Sequence, residues 1–236
     1  MNLLLLSSSR VDGTEYLQHA KSLIQSHLTN HIKTALFIPY AGVGIGFDKY
    51  EEMVADPFSS FGYQVKSIHN FDNPAQAVLD AEAILVGGGN TFCLLNNLYE
   101  NNLIAALKEK VSSGTPYIGW SAGSNIAAPT IKTTNDMPII EPPSFDALNF
   151  LSCQLNPHYL DGNPPGHQGE TREQRISEFL AVNPAQHVVG LPEGTALITE
   201  GNELVYQGAK TGYIFSADKG KQPIESGHHL TDFLNK

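Results

Sequence analysis

Short apolar runs recur along the first half of the chain, and each is too brief for a buried helix. Asn2–Leu6, Thr34–Pro39, Gln64–His69, Ala83–Val86 and Tyr117–Trp120 read as strands, several of them apolar enough to be covered on both faces. Amphipathic stretches separate them. Thr14–Leu28 places Tyr16, Ala20, Leu23, Ile24 and Leu28 at steps of three and four, so one helical stripe turns inward. Asp48–Phe58, Pro74–Ala81 and Leu103–Val111 repeat that spacing. Strands alternating with helices predict an α/β fold, a doubly wound and mainly parallel sheet flanked by helices. In the last third the pattern changes. Thr195–Thr199, Glu203–Gln207 and Gly212–Ser216 are strand-like runs parted by Gly-Asn and Gly-Ala-Lys turns, which predict a small antiparallel extension at the sheet edge. The segment Asp161–Gly169, rich in Pro and Gly, is a loop.

Composition narrows this picture. The 236 residues, 41% hydrophobic and 16% charged, suit a single domain over 1–236 with one sizeable core. Fourteen basic against 24 acidic residues leave a net charge of −10, which repels nucleic acid and anionic membrane surfaces. A small acidic substrate stays compatible with it, because one arginine at contact distance outweighs a screened surface field. The Leu3–Leu6 run has no basic segment before it and is too short for a secretion signal, so a cytoplasmic protein is expected. Cys93 and Cys153 both sit in apolar surroundings and read as buried free thiols. No HExxH or clustered His and carboxylate pattern calls for a metal, and no cofactor is expected.

The clearest chemical signal is Tyr117-Ile-Gly-Trp-Ser121-Ala-Gly123, an apolar strand running into Gly-x-Ser-x-Gly. Glycines on either side of the serine permit the sharp strand-to-helix turn that lifts a nucleophilic hydroxyl above the sheet. The pattern alone also fits a tight turn without chemistry. A second feature is Gly87-Gly88-Gly89-Asn90-Thr91 after the Ala83–Val86 strand; its bare amides can approach a substrate closely and serve as an oxyanion hole. Nucleotide binding is the competing use of such runs. Neither this one nor Gly42-Val-Gly-Ile-Gly46 completes a dinucleotide fingerprint or carries a Walker lysine.

A serine needs a base, and the base an orienting carboxylate. Of nine histidines, His158 follows a partly apolar strand, Leu151–Leu155, and so lies at a strand end. His167, in the Gly-rich loop, competes with it. His19, His27, His31, His69, His187, His228 and His229 read as surface or capping residues. Glu193 follows the Val188–Leu191 strand within Pro-Glu-Gly, a position equally natural for a solvated turn residue.

Over nearly its whole length the chain resembles the serine peptidase family of the aspartyl dipeptidases (peptidase E), which also includes cyanophycinase. The resemblance rests on Phe37-Ile-Pro-Tyr-Ala-Gly42, Val86-Gly-Gly-Gly-Asn-Thr-Phe92, Ile118-Gly-Trp-Ser-Ala-Gly123, Thr133-Thr-Asn-Asp-Met-Pro138, Asn156-Pro-His158, Gly169-Glu-Thr-Arg-Glu-Gln-Arg175 and Gly190-Leu-Pro-Glu-Gly194. It implies a glutamine-amidotransferase-like α/β fold with a Ser-His-Glu triad at Ser121, His158 and Glu193. It also implies hydrolysis of small peptides with a free N-terminal aspartate. On this reading Gly88, Gly89 and Ala122 supply oxyanion-hole amides and Arg172 grips the aspartyl side chain, with Arg175 the fallback. Asn90 and the Thr134-Asn135-Asp136 stretch contribute to the pocket, Asp136 toward the substrate ammonium. A homodimer is compatible with it. Ser124 stands where a small apolar residue such as alanine is expected. The competing classes are a non-catalytic ligand-binding module and a cyanophycinase-like hydrolase; an amidotransferase needs a cysteine where this chain has Ser121.

Overall fold

The computed structural model describes residues 1–235 apart from 30, 164 and 167. Among these, the apolar runs form strands β1 (Asn2–Leu6), β2 (Thr34–Ile38), β3 (Gln64–Ser67), β4 (Ile84–Val86) and β5 (Pro116–Trp120). They pair in parallel in the order β3-β2-β4-β5-β1, and β8 (Ala196–Glu200) and β9 (Glu203–Gln207) then add antiparallel beside β1. This seven-stranded sheet is the predicted doubly wound core with its antiparallel edge. β1 lies inside it, aligned with β5 from Asn2↔Pro116 to Leu6↔Trp120 and with β8 at Leu4↔Ile198. Apolar side chains on its two faces enter separate cores: Leu3 and Leu5 in one, Leu4 and Leu6 in the other. That double coverage is why the strand shows no polar alternation.

The connecting helices are α1 (Lys21–His27), α2 (Phe47–Phe61), α3 (Pro74–Asp80), α4 (Thr91–Glu100), α5 (Leu103–Ser112), the four-residue α6 (Ala122–Asn125) and α7 (Arg172–Val182). The helix expected from Thr14 begins only at Lys21, after a 3-10 turn at Gln18–Ala20, because Leu17 takes a left-handed backbone with φ +58° that a helix cannot contain. Tyr16 therefore leaves the helical stripe, and its hydroxyl accepts a hydrogen bond from Trp120 Nε1 at 2.9 Å. Helix α4, which the polar Asn-rich sequence concealed, starts directly after the glycine run, with Asn90 capping it through Oδ1 to Cys93 N at 3.1 Å.

The second sheet departs from expectation. β6 (Gln154–Pro157) pairs in parallel with β7 (His187–Leu191), followed by β10 (Gly212–Ser216) and β11 (Gly220–Ile224), in the order β11-β10-β7-β6. The run expected as a strand at Leu151–Leu155 is thus displaced toward His158, and Gly212–Ser216 belongs here rather than at the edge of the large sheet. Helix α7 covers one face of this sheet, packing Ile176 and Leu180 against Tyr159, Val188 and Phe215. His27, expected at the surface, is buried. Cys153 is buried as expected, whereas Cys93 is only partly so; both are free.

Candidate active site

Ser121 follows β5 in a backbone conformation that L residues rarely adopt, φ +52° and ψ −112°. Two close approaches make this turn possible. A Cβ on Gly119 would lie 2.4 Å from the Gly123 carbonyl oxygen, and one on Gly123 would lie 2.1 Å from that of Val86. Both glycines of the motif are thus demanded by packing. Helix α6 beyond the turn is only four residues long, so its dipole contributes little and the local amides matter more. Ser124 is fully buried; its hydroxyl reaches the carbonyls of Leu6 at 2.6 Å and Gly119 at 2.9 Å.

His158 sits just beyond β6, again with positive φ (+56°). Its Nε2 lies 2.9 Å from Ser121 Oγ and its Nδ1 lies 2.8 Å from Glu193 Oε1. An ionised carboxylate can only accept, so Nδ1 carries the hydrogen and Nε2 is left to accept from the serine hydroxyl. The strand ends that meet here come from both sheets: β5 brings Ser121, β6 brings His158, and the turn after β7 brings Glu193. His167 lies outside the described residues.

Gly88 and Gly89 line the same cleft as Ser121 and His158, a space of about 610 Å³. Among the described residues no group accepts a hydrogen bond from the amides of Gly88, Gly89 or Ala122. Gly89 takes φ +137°, and a Cβ there would meet Ala41 O at 2.2 Å; only glycine holds the loop in this shape. Tyr50 braces it, donating to Gly88 O at 2.8 Å. Burial raises the Tyr50 phenol far above its ordinary range, which keeps it a neutral donor.

A second cleft, about 650 Å³, opens on the other side of His158 and contains Arg172, Glu193, Asp161 and Lys210. Charge is therefore divided: among the described residues the first cleft holds no carboxylate, lysine or arginine side chain, and the second is rich in them. Arg172 is the first residue of α7, fixed by a capping box between Thr171 and Gln174. Among the described residues it makes no ion pair, and burial followed by the nearby Arg175 lowers its pKa. Arg175 pairs instead with Glu170, at 3.6 Å. The other pocket residues are more occupied. Asn90 donates through Nδ2 to Met137 O at 2.9 Å while Oδ1 caps α4, and Asp136 Oδ2 accepts from Thr91 N at 2.7 Å and from the hydroxyls of Thr91 and Thr134.

Sequence reasoning missed a charged cluster that borders the second cleft through Asp161 and Tyr213. Lys221 on β11 donates to Asp161, and also to Glu173 Oε2 at 2.9 Å. Tyr213 donates to Asp161 Oδ2 at 2.9 Å, and the ammonium lies 4.3 Å from the Tyr213 ring centre. Burial alone would lower the Lys221 pKa, but its bonds to Asp161 and Glu173 outweigh that and raise it. These residues lie up to 60 positions apart in the chain, and no local motif joins them.

A seryl hydroxyl on a strand-to-helix elbow, met by an imidazole that a carboxylate orients, defines a serine hydrolase. The model of peptidase family S51 matches residues 3–206, and the chain belongs to that family of serine peptidases. It is 50% identical over 234 residues to a peptidase E of Shewanella denitrificans, covering 99% of each chain. It is likewise 50% identical over 231 residues to a peptidase E of Shewanella amazonensis, covering 98% of each. The solved structure of a peptidase from an acI-B1 actinobacterium shares the fold, with a TM-score of 0.70 and 22% identity over 97% of this chain and 96% of that one.

Proposed function

We propose that this serine peptidase is an aspartyl dipeptidase, cleaving Asp-Xaa peptides with a free amino terminus through an acyl-enzyme on Ser121. The observation that carries the reading is the 2.9 Å contact between His158 Nε2 and Ser121 Oγ, with Glu193 behind it. His158 takes the serine proton as the hydroxyl attacks the peptide carbonyl, then delivers it to the departing amine; water, activated by the same imidazole, releases the aspartate. Glu193 holds the ring and stabilises its cation. The oxyanion is received by the amides of Gly88, Gly89 and Ala122, each such donor being worth about 3–4 kcal/mol in the transition state.

Recognition of aspartate falls to Arg172, whose guanidinium can take a carboxylate with two hydrogen bonds and has no ion pair among the described residues to give up. Asp136 keeps Oδ1 for the substrate ammonium. Asn90 shapes the wall through its two local bonds. The reading is supported by the peptidase E names of the half-identical relatives. It includes a cytoplasmic location, with which the two free thiols agree, and no helix among the described residues is long and apolar enough to cross a membrane.

The test is hydrolysis of Asp-p-nitroanilide and Asp-Leu in EDTA, beside the Glu, Asn and Ala analogues. Selective cleavage after Asp that Ser121→Ala abolishes is expected. No cleavage of any analogue, together with no labelling by a fluorophosphonate, would favour a ligand-binding module.

A further inference from the structure

Three consecutive residues at the carboxyl end of β1 each touch the backbone of a different part of the site. The Leu6 carbonyl accepts the Ser121 N–H at 3.1 Å. The Ser7 hydroxyl accepts the His158 N–H at 2.9 Å. The Ser8 hydroxyl accepts the N–H of Gly194, the residue after Glu193, at 3.3 Å. Nucleophile, base and acid come from three segments and two sheets, and the end of β1 reaches all of them.

Ser7 has the most demanding position of the three. It is fully buried. Its oxygen accepts from His158, and its own hydrogen goes to Leu191 O at 2.7 Å, the same carbonyl that accepts Tyr159 N at 3.0 Å. The hydroxyl thus occupies the place where the β6–β7 ladder would have continued. β6 is aligned with β7 up to Pro157↔Leu191, and His158 then turns into the left-handed region. A histidine pays an energetic penalty for that backbone and persists in it only where its surroundings dictate it. With its N–H satisfied from the neighbouring sheet, His158 leaves the ladder without an orphaned donor, and its imidazole is directed at Ser121.

We infer that Ser7 is a positioning residue for the reaction: its hydroxyl fixes the backbone of His158 so that Nε2 meets Ser121 Oγ. This rests on the reading of Ser121, His158 and Glu193 as the catalytic group. Ser7 is fully buried and lines neither cleft, so its loss is expected to act on the chemical step and to leave both clefts in place.

The test compares the wild-type enzyme with His158→Ala, Ser7→Ala and the nearly isosteric Ser7→Cys on an Asp-p-nitroanilide substrate, together with the rate constant for fluorophosphonate labelling. Ser7→Ala is expected to lower kcat about 10–100-fold, to lower the labelling rate in parallel and to leave KM within about twofold. Ser7→Cys, a weaker donor and acceptor of similar size, is expected to fall between Ala and wild type. It also serves as the folded reference if the alanine protein proves unstable. If His158→Ala is inactive while both Ser7 variants keep kcat and labelling within twofold of wild type, or lose only thermal stability, the positioning role is refuted. If His158→Ala keeps its rate, it is the catalytic reading itself that falls.

Discussion

At single positions the site depends on side chains that are absent as much as on those present. Gly123 has the Val86 carbonyl where its Cβ would be, at 2.1 Å, and neither partner is a flexible side-chain end that could swing away. Gly123→Ala therefore forces backbone movement at the elbow, at a cost of about 3 kcal/mol or more. The expected outcome is a protein that loses fluorophosphonate labelling and melts markedly lower, read by gel fluorescence and circular dichroism. Arg172 poses the opposite case, a partly buried charge that makes no ion pair among the described residues and has only the field of Asp136 to offset its burial. Arg172→Lys keeps the charge but not the planar fork, and losing one charge-assisted hydrogen bond of about 1.5–3 kcal/mol corresponds to a 10–150-fold fall in kcat/KM for Asp substrates. Cleavage of an Asn analogue should barely change, so the Asp-to-Asn ratio is the quantity to measure. The elbow serine and its glycines were legible in the sequence because their spacing is local. Ser7 was not, since a serine after an apolar strand looks the same whether or not it grips a backbone 151 residues away.

Among the elements, α7 ties the proposed recognition of aspartate to stability. Its capping box holds Thr171 Oγ1 to Gln174 N at 3.1 Å and Gln174 Oε1 to Thr171 N at 2.8 Å, and Arg172 is the next residue. Thr171→Ala should cost about 1 kcal/mol of stability and, by fraying the turn that carries Arg172, raise KM for Asp substrates more than it lowers kcat. A melting curve and a substrate titration check both. The start signal of α7, Thr171 with Gln174 three residues on, is written locally in the sequence. The second sheet is not. β6 with β7, and β7 with β10, pair across long stretches of chain, and nothing within Gln154–Pro157 or Gly212–Ser216 tells which sheet they join. Periodicity revealed that strands exist, while partner choice was settled by tertiary packing. The Thr14–Leu28 stretch failed for a related reason: its spacing fits a helix, but Tyr16 gains more by reaching Trp120.

For the molecule as a whole, acid should be a weak point remote from the chemistry. His27 is buried at the end of α1, its Nε2 meets no hydrogen-bond partner among the described residues, and burial depresses its pKa from 6.5 to about 4. Between those values the unfolded chain binds a proton that the folded one refuses. Stability is thus unaffected above about pH 6.5, declines as pH falls below it, and the full loss of about 3 kcal/mol is reached near pH 4. His27→Leu should flatten that part of the melting-temperature profile between pH 7 and pH 4.

The place of β1 has a consequence for biosynthesis. β1 is an interior strand of the finished sheet, and its second neighbour, β8, lies about 190 residues downstream, with Leu4 opposite Ile198. A chain leaving the ribosome carries its Gly-x-Ser-x-Gly elbow long before β8 exists to enclose the strand from which the site is aligned. Such distant pairing closes late and slowly. The nascent polypeptide is therefore expected to stay inactive until β8 has been translated, and a ribosome-stalled chain ending before residue 196 should resist fluorophosphonate labelling although its nucleophile is already present.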